Sequence, residues 1–213
     1  MSRIALILTL LVCGLGTGCT QYVHPLSPLE EAKADSSVFG SWYIRSADAN
    51  GEVTHNFVHI GSANNPHPSD LDQNYFMANG DKTFPKKIPL ENMTRVIVIT
   101  MKPNGEANQM SFLGYPTHVE DRHYMNVPMI VNDKVAGYSI WKYEVNDDKL
   151  TVWNEVDEEV IKQLKKEGIL HEKENSSIVS DNTQTLRKLF AEKDATLFPD
   201  QRKSTLQKLP VVN

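Results

Sequence analysis

The sequence predicts a mainly β domain, an eight-stranded antiparallel barrel, closed or partly open, with two C-terminal helices. Three observations predict it. Val38 to Trp153 is a series of short runs rich in Val, Ile, Tyr, Phe and Thr. Asn50-Gly51, Asn79-Gly80, Pro103-Asn104-Gly105, Asn132-Asp133 and Asn146-Asp147-Asp148 separate the runs with residues that tolerate positive φ. Beyond Trp153 the apolar spacing lengthens to that of a helix. Short links imply antiparallel neighbours, and closing the sheet removes its exposed edges.

In chain order the expected strands are Val38–Ser46, Val53–Ile60, Gln73–Ala78, Thr94–Lys102, Glu106–Leu113, His123–Val131, Ala136–Val145 and Lys149–Trp153. The first helix is carried by Val156, Val160, Ile161 and Leu164, with Asp157 as N-cap and Gly168 as stop. Glu158 and Glu159 open it and Lys162, Lys165 and Lys166 follow, which suits the helix dipole. A second helix, Thr183–Ala195, buries Leu186, Leu189 and Phe190, and Asp181 before Gln184 resembles a capping pattern. Pro199 ends this part. The resulting division is 1–18 signal peptide, 19–37 lipidated N-terminus and tether, 38–153 barrel, 154–198 helical extension of the same domain, and 199–213 flexible tail.

The N-terminus carries the sharpest signal. Arg3 precedes an apolar stretch, Ile4–Val12, and then small residues Gly14, Gly16, Thr17 and Gly18. This is the layout of a cleaved secretion signal and is too short to span a membrane. Leu15-Gly16-Thr17-Gly18-Cys19 resembles the bacterial lipobox, with Leu one position further back than that motif prefers. The resemblance implies acylation at Cys19, and Thr20 after it implies the outer membrane, periplasmic face, rather than inner-membrane retention. Several acyl chains would anchor the chain without a spanning helix. Extended at about 3.3 Å per residue, Thr20–Ser37 would reach roughly 60 Å from the bilayer.

Composition bounds the function. The chain has 213 residues, 40% of them hydrophobic and 23% charged, which is a globular balance. A formal charge of −5 argues against a general nucleic-acid partner. The two cysteines are Cys13, inside the signal, and Cys19. The mature domain therefore has no disulfide, thiol nucleophile or thiolate metal site.

Gly40-Ser41-Trp42 at the start of the first strand resembles the Gly-x-Trp motif of lipocalin and related calycin barrels. That resemblance implies a lipocalin-like barrel with the Trp plugging one end. The later lipocalin signatures, a Thr-Asp-Tyr-type turn and an Arg before the C-terminal helix, are not found. Tyr124-Met125-Asn126-Val127, Gly137-Tyr138, Leu150-Thr151-Val152-Trp153 and Leu197-Phe198 resemble a set of Gram-negative envelope lipoproteins of unassigned activity. This second resemblance supports the architecture and supplies no activity.

Chemistry is sparse. His55 and His59 share a strand face about 13 Å apart, too far to chelate one ion. His118, Glu120, Asp121 and His123 form a denser cluster, placed in a connection between strands and read as a solvated polar loop. No metal site, cofactor or catalytic residue is assigned, and neither a Gly-x-Ser-x-Gly elbow nor a phosphate-binding glycine loop occurs. Aromatic residues are better placed. Ser139, Trp141, Tyr143 and Val145 share a strand face, and Trp42, Phe57, Tyr75 and Phe112 come from other strands. Trp42, Phe57, Tyr75, Phe112, Trp141 and Tyr143 either fill the core or line an apolar ligand cavity. Loop parity puts the mouth opposite Trp42, formed by Asn79–Met93 and Gly114–Arg122, with Lys86 and Lys87 at its edge, and puts Gly61–Asp72 at the other end. The first functional reading is a membrane-anchored binder or carrier of a small hydrophobic molecule or lipid. The alternative is a non-enzymatic module that docks an envelope protein.

Overall fold

A computed structural model describes residues 20–47, 51–63, 92–131, 134–174 and 176–210. Eight strands are present among them: β1 (Gly40–Ala47), β2 (Val53–Ser62), β3 (Thr94–Met101), β4 (Ala107–Val119), β5 (Arg122–Val131), β6 (Lys134–Asn146), β7 (Lys149–Trp153) and β8 (Ser204–Lys208). They close into a barrel in chain order, each antiparallel to its neighbours. Two helices, α1 (Glu158–Lys166) and α2 (Thr183–Leu197), lie in the chain between β7 and β8. Among the described residues no helix is long and apolar enough to cross a membrane.

The eighth strand is not where the sequence pattern places it. Gln73–Ala78 lies outside the described residues, and β2 pairs directly with β3, Val58 opposite Val98. The closing strand comes from the stretch expected as a flexible tail. Ser204–Lys208 has one large inward apolar residue, Leu206, so its own sequence shows almost no β pattern. Neighbours specify it: Leu206 pairs with Leu150 of β7, and Lys208 with Trp42 of β1. β4 also runs past Leu113 to Val119, and β5 begins at Arg122, so the expected polar loop is a tight hairpin turned at Glu120-Asp121. Glu120 takes φ 56° there.

Both helices start on side-chain caps. Asp157 accepts from the Glu159 and Val160 amides at α1. At α2 the cap is Asn182, which accepts from Thr185 N, rather than Asp181. Asp181 instead accepts from the His171 amide and pairs with its ring.

Period-two alternation sorts the strands into an inner and an outer face. Trp42, Val58, Ile60, Val96, Val98, Phe112, Met125, Tyr143, Leu150 and Leu206 form the barrel interior. The largest apolar cluster lies outside the barrel. Tyr124 and Ile140 on the outer face meet Ile161 and Leu164 of α1, Leu186, Leu189 and Phe190 of α2, and Tyr22 and Leu26. The helices thus cover the wall made by β4–β6.

Tyr22 and Leu26 belong to the expected tether, which is docked rather than free. Both are fully buried. Tyr22 exchanges two backbone hydrogen bonds with Tyr138 of β6, and Gln21 and Val23 bond Val179. Gly137 permits this approach, because a Cβ there would meet the Tyr22 carbonyl oxygen at 3.0 Å. Asn126, buried in β5, accepts from Leu26 N at 2.8 Å and donates to Thr117 Oγ1. Arg187 of α2 and Tyr115 of β4 donate to the carbonyls of Leu26 and Ser27. Backbone groups of this segment are paired with protein, which a solvated tether does not need.

A buried ionic group joins α2 to the barrel. Asp194 accepts from Lys142 Nζ at 2.7 Å and from Tyr124 OH at 2.6 Å, and Arg122 Nε lies 3.6 Å away. The Lys142 and Asp194 side chains are only 9% and 8% exposed, so the surroundings screen them little. Asp194→Ala leaves the buried Lys142 with only the half-exposed Glu144, 3.3 Å away, and is expected to cost about 3 kcal/mol in urea unfolding. Asp194→Leu combined with Lys142→Met is expected to recover most of that loss. Truncation after Pro199 removes β8 and is expected to abolish the cooperative unfolding transition, read by circular dichroism.

Candidate functional site

The barrel interior is not completely filled. It holds a partly open cavity of about 100 Å³. Val58, Val96, Val98, Phe112, Trp141 and Tyr143 form much of an apolar wall to which all eight strands contribute. Val38 closes it beside Trp42, from a one-turn 3-10 helix, Ser36–Val38. Asn56, Asn154 and Ser204 add polar groups toward the opposite end. Asn56 is itself held there, donating to Ser46 and accepting from Thr100 Oγ1 at 2.8 Å.

The aromatic residues singled out by sequence divide. Phe112, Trp141 and Tyr143 line the cavity. Phe112 and Trp141 pack edge to face with centroids 4.8 Å apart, and Trp141 Nε1 donates to Ser139 Oγ. Burial pushes the Tyr143 phenol upward, and its bond to the Asp35 carboxylate adds to the shift. Trp42 is fully buried in the barrel core but stands at the end of the interior, off the cavity surface. Its indole donates to Val38 O at 2.8 Å, and Lys208 Nζ lies 5.2 Å from its ring. Gly40 is required beside it, with φ 136° and room for a Cβ only at 3.3 Å from Lys208 Cε.

Phe57 does not face the cavity. It pairs opposite Tyr43 on the outer face, with ring centroids 5.3 Å apart. Its neighbours Asn56 and Val58 point inward, so alternation along β2 excludes it. Tyr75, Cys19, Lys86 and Lys87 lie outside the described residues. Asn56, Met125, Asn154, Ser204 and Leu206 line the cavity as well, outside the sequence expectation. Alternation along β2 and β5 signals Asn56 and Met125, whereas Ser204 and Leu206 carry no signal before β8 is known.

Loop positions are also corrected. Because β2 pairs with β3, the end of β2 at Ser62 and the start of β3 at Thr94 lie at the Trp42 end, as does the Glu120-Asp121 turn. One expected strand missing from the barrel order reverses the parity of every later loop. The opposite end carries the described 102–106 connection and the helical insertion.

The β4–β5 seam has an unusual form. The two strands pair only from Tyr115–Asn126 to Val119–Arg122. Beyond this, β4 pairs only with β3, and β5 only with β6. Met110 and Phe112 stand on one side of the parting, and Val127 on the other.

Polar chemistry gathers at the Trp42 end. His118 and His123 face each other across the hairpin, ring centroids 4.4 Å apart, and Asp35 approaches them from the N-terminal segment. Glu120 and Asp121 are not drawn in, and both lie exposed beside Arg122. Asp35 accepts from Ser37 N, Ser37 Oγ and Tyr143 OH. Burial opposes ionisation of Asp35. The hydrogen bonds from Ser37 and Tyr143 and the nearby His123 outweigh it and hold the carboxyl below its ordinary range. His55 and His59 are on the outer face, bonded to Tyr43 OH and Ser41 Oγ.

No family model, curated protein or solved structure matches this chain.

Two substitutions test whether the cavity is real space. Val98→Leu adds a methylene toward it and is expected to leave the melting temperature unchanged or higher, where a filled core would lose about 1–3 kcal/mol. Phe112→Ala is expected to lose about 3–5 kcal/mol.

Proposed function

We propose that this protein is an outer-membrane lipoprotein, anchored through Cys19 on the periplasmic face, whose barrel binds a small apolar molecule or the apolar end of a larger one. The apolar cavity inside the barrel carries the reading. Apolar walls with a few convergent polar groups are the usual form of a small-molecule site. Size narrows the ligand. An apolar cavity of about 150 Å³ accommodates benzene. At about 100 Å³, this one fits a fragment of a few carbons, such as a small ring or an acyl-chain end. The parting of β4 and β5 beside Phe112 and Val127 offers the way in.

Apolar burial at about 25 cal/mol per Å² supplies the affinity, and Asn56, Asn154 or Ser204 orients a polar end. No described residue is assigned a catalytic role.

A second reading, docking of an envelope protein, has one observation in its favour. Val131 and Val135 at the β5–β6 hairpin are 52% and 39% exposed, beside strand edges that β4 and β5 leave unpaired. Such edges accept an added strand.

Native mass spectrometry of protein released gently from the envelope separates these readings. A retained small molecule, absent from a Val98→Trp variant of unchanged circular dichroism, is the expected result. A clean mass with envelope crosslinks at Val131 would favour docking. In fractionation, Cys19→Ala is expected to move the protein from the membrane to the soluble periplasm, and retention on the membrane would exclude the lipid anchor.

A further inference from the structure

We propose that Asp35, His118 and His123 form a binding site for a divalent transition-metal ion of the zinc type, at the Trp42 end of the barrel. One ligand atom from each of the three lies within 4.8 Å of the other two. The residues come from two distant parts of the chain, which argues for a built site rather than a local run of polar residues.

The spacing is that of ligands around an ion. Metal–nitrogen and metal–oxygen bonds of about 2.0–2.1 Å put two tetrahedral ligands about 3.3 Å apart. His123 Nδ1 and Asp35 Oδ2 are 3.3 Å apart. Yet His123 Nδ1 is shielded from solvent and makes no hydrogen bond, its alignment with the carboxylate being wrong for one. A shielded ring nitrogen whose only polar neighbour is misaligned for a hydrogen bond is costly. Coordination satisfies it. His118 lies across the same pair of strands, its ring edge to face with that of His123, and its exposed side chain closes the group on the solvent side.

The surroundings hold the carboxylate as a ligand. Ser37 donates twice to Oδ1, at 3.0 Å from N and 2.6 Å from Oγ, and Tyr143 donates to Oδ2 at 2.8 Å. Such outer contacts fix a ligand's orientation and keep it ionised. Two imidazoles and one carboxylate suit zinc, copper or nickel rather than magnesium or calcium, which take oxygen ligands. Three protein ligands leave a fourth position for water or an exogenous group. Asp35 precedes β1, so a bound ion would also tie the N-terminal segment to the β4–β5 hairpin.

The test uses the untagged full chain, extracted in detergent, stripped with a chelator and titrated with zinc in a calorimeter. One saturable equivalent is expected, together with a raised melting temperature. Asp35→Asn, His118→Gln and His123→Gln should each weaken binding at least tenfold, and Tyr143→Phe should weaken it less. His55→Gln and His171→Gln should leave it unchanged. The exposed His118 supplies the variant least disturbing to folding, and its melting temperature without metal should equal that of the parent. No saturable binding, or binding unaltered in the His118→Gln variant, would overturn the proposal.

Discussion

Closure of the barrel is the constraint on which the rest depends. An antiparallel sheet has two raw edges until its last strand joins its first, and here that joint is short. β8 meets β1 at Trp42–Lys208 and Tyr43–Gln207 only. Leu209 N bonding Ser41 O extends the seam by one backbone bond, while Lys208 N bonds Asp148 O on the β7 side. Gly40, Trp42 and Lys208 interlock at this point, so one joint seals the sheet and closes one end of the interior. The cavity exists because the same closure holds eight inward faces apart farther along the barrel.

A second layer stabilises what closure leaves thin. The wall of β4–β6 carries the partly open seam, and both the docked N-terminal segment and α2 lie over that wall. Their contacts include buried polar groups, notably Asn126 and the Lys142–Asp194–Tyr124 set. Such groups accept few alternative arrangements, since a mispaired one loses its hydrogen bonds in a dry environment. The apolar cluster there supplies area, and the polar groups define the register in which that area is buried.

The architecture was legible because strands and helices announce themselves by period. Seven antiparallel strands and two helices follow from alternation, turn residues and caps such as Asp157. What escaped was specified by contacts distant in sequence. Ser204–Lys208 has too few apolar residues to read as a strand, and becomes one because β1 and β7 both lack a partner. Tyr22 and Leu26 sit in a Pro- and Glu-containing stretch that looks solvated, and only the groove beside β6 shows why they are buried. Phe112, Trp141 and Tyr143 were found as aromatic residues on strands. Phe57 is equally aromatic, but the alternation along β2 turns it outward. His118 and His123 were visible as a pair, but the group completing the cluster, Asp35, arrives from far upstream, and the neighbouring Glu120 and Asp121 were misleading.

The late position of β8 also governs the order of events as the chain is made. A chain that emerges N-terminus first presents β1 to β7 long before Ser204–Lys208 exists. During that interval the sheet is an open curl, with β1 and β7 as unpartnered borders and the interior facing solvent. Low-separation hairpins such as β4–β5 and β6–β7 form quickly, whereas the β1–β8 joint requires the two ends of the domain to find each other, a slow loop closure. The seam is thus a timing device: the molecule stays vulnerable to strand exchange with its neighbours until Ser204–Lys208 is delivered.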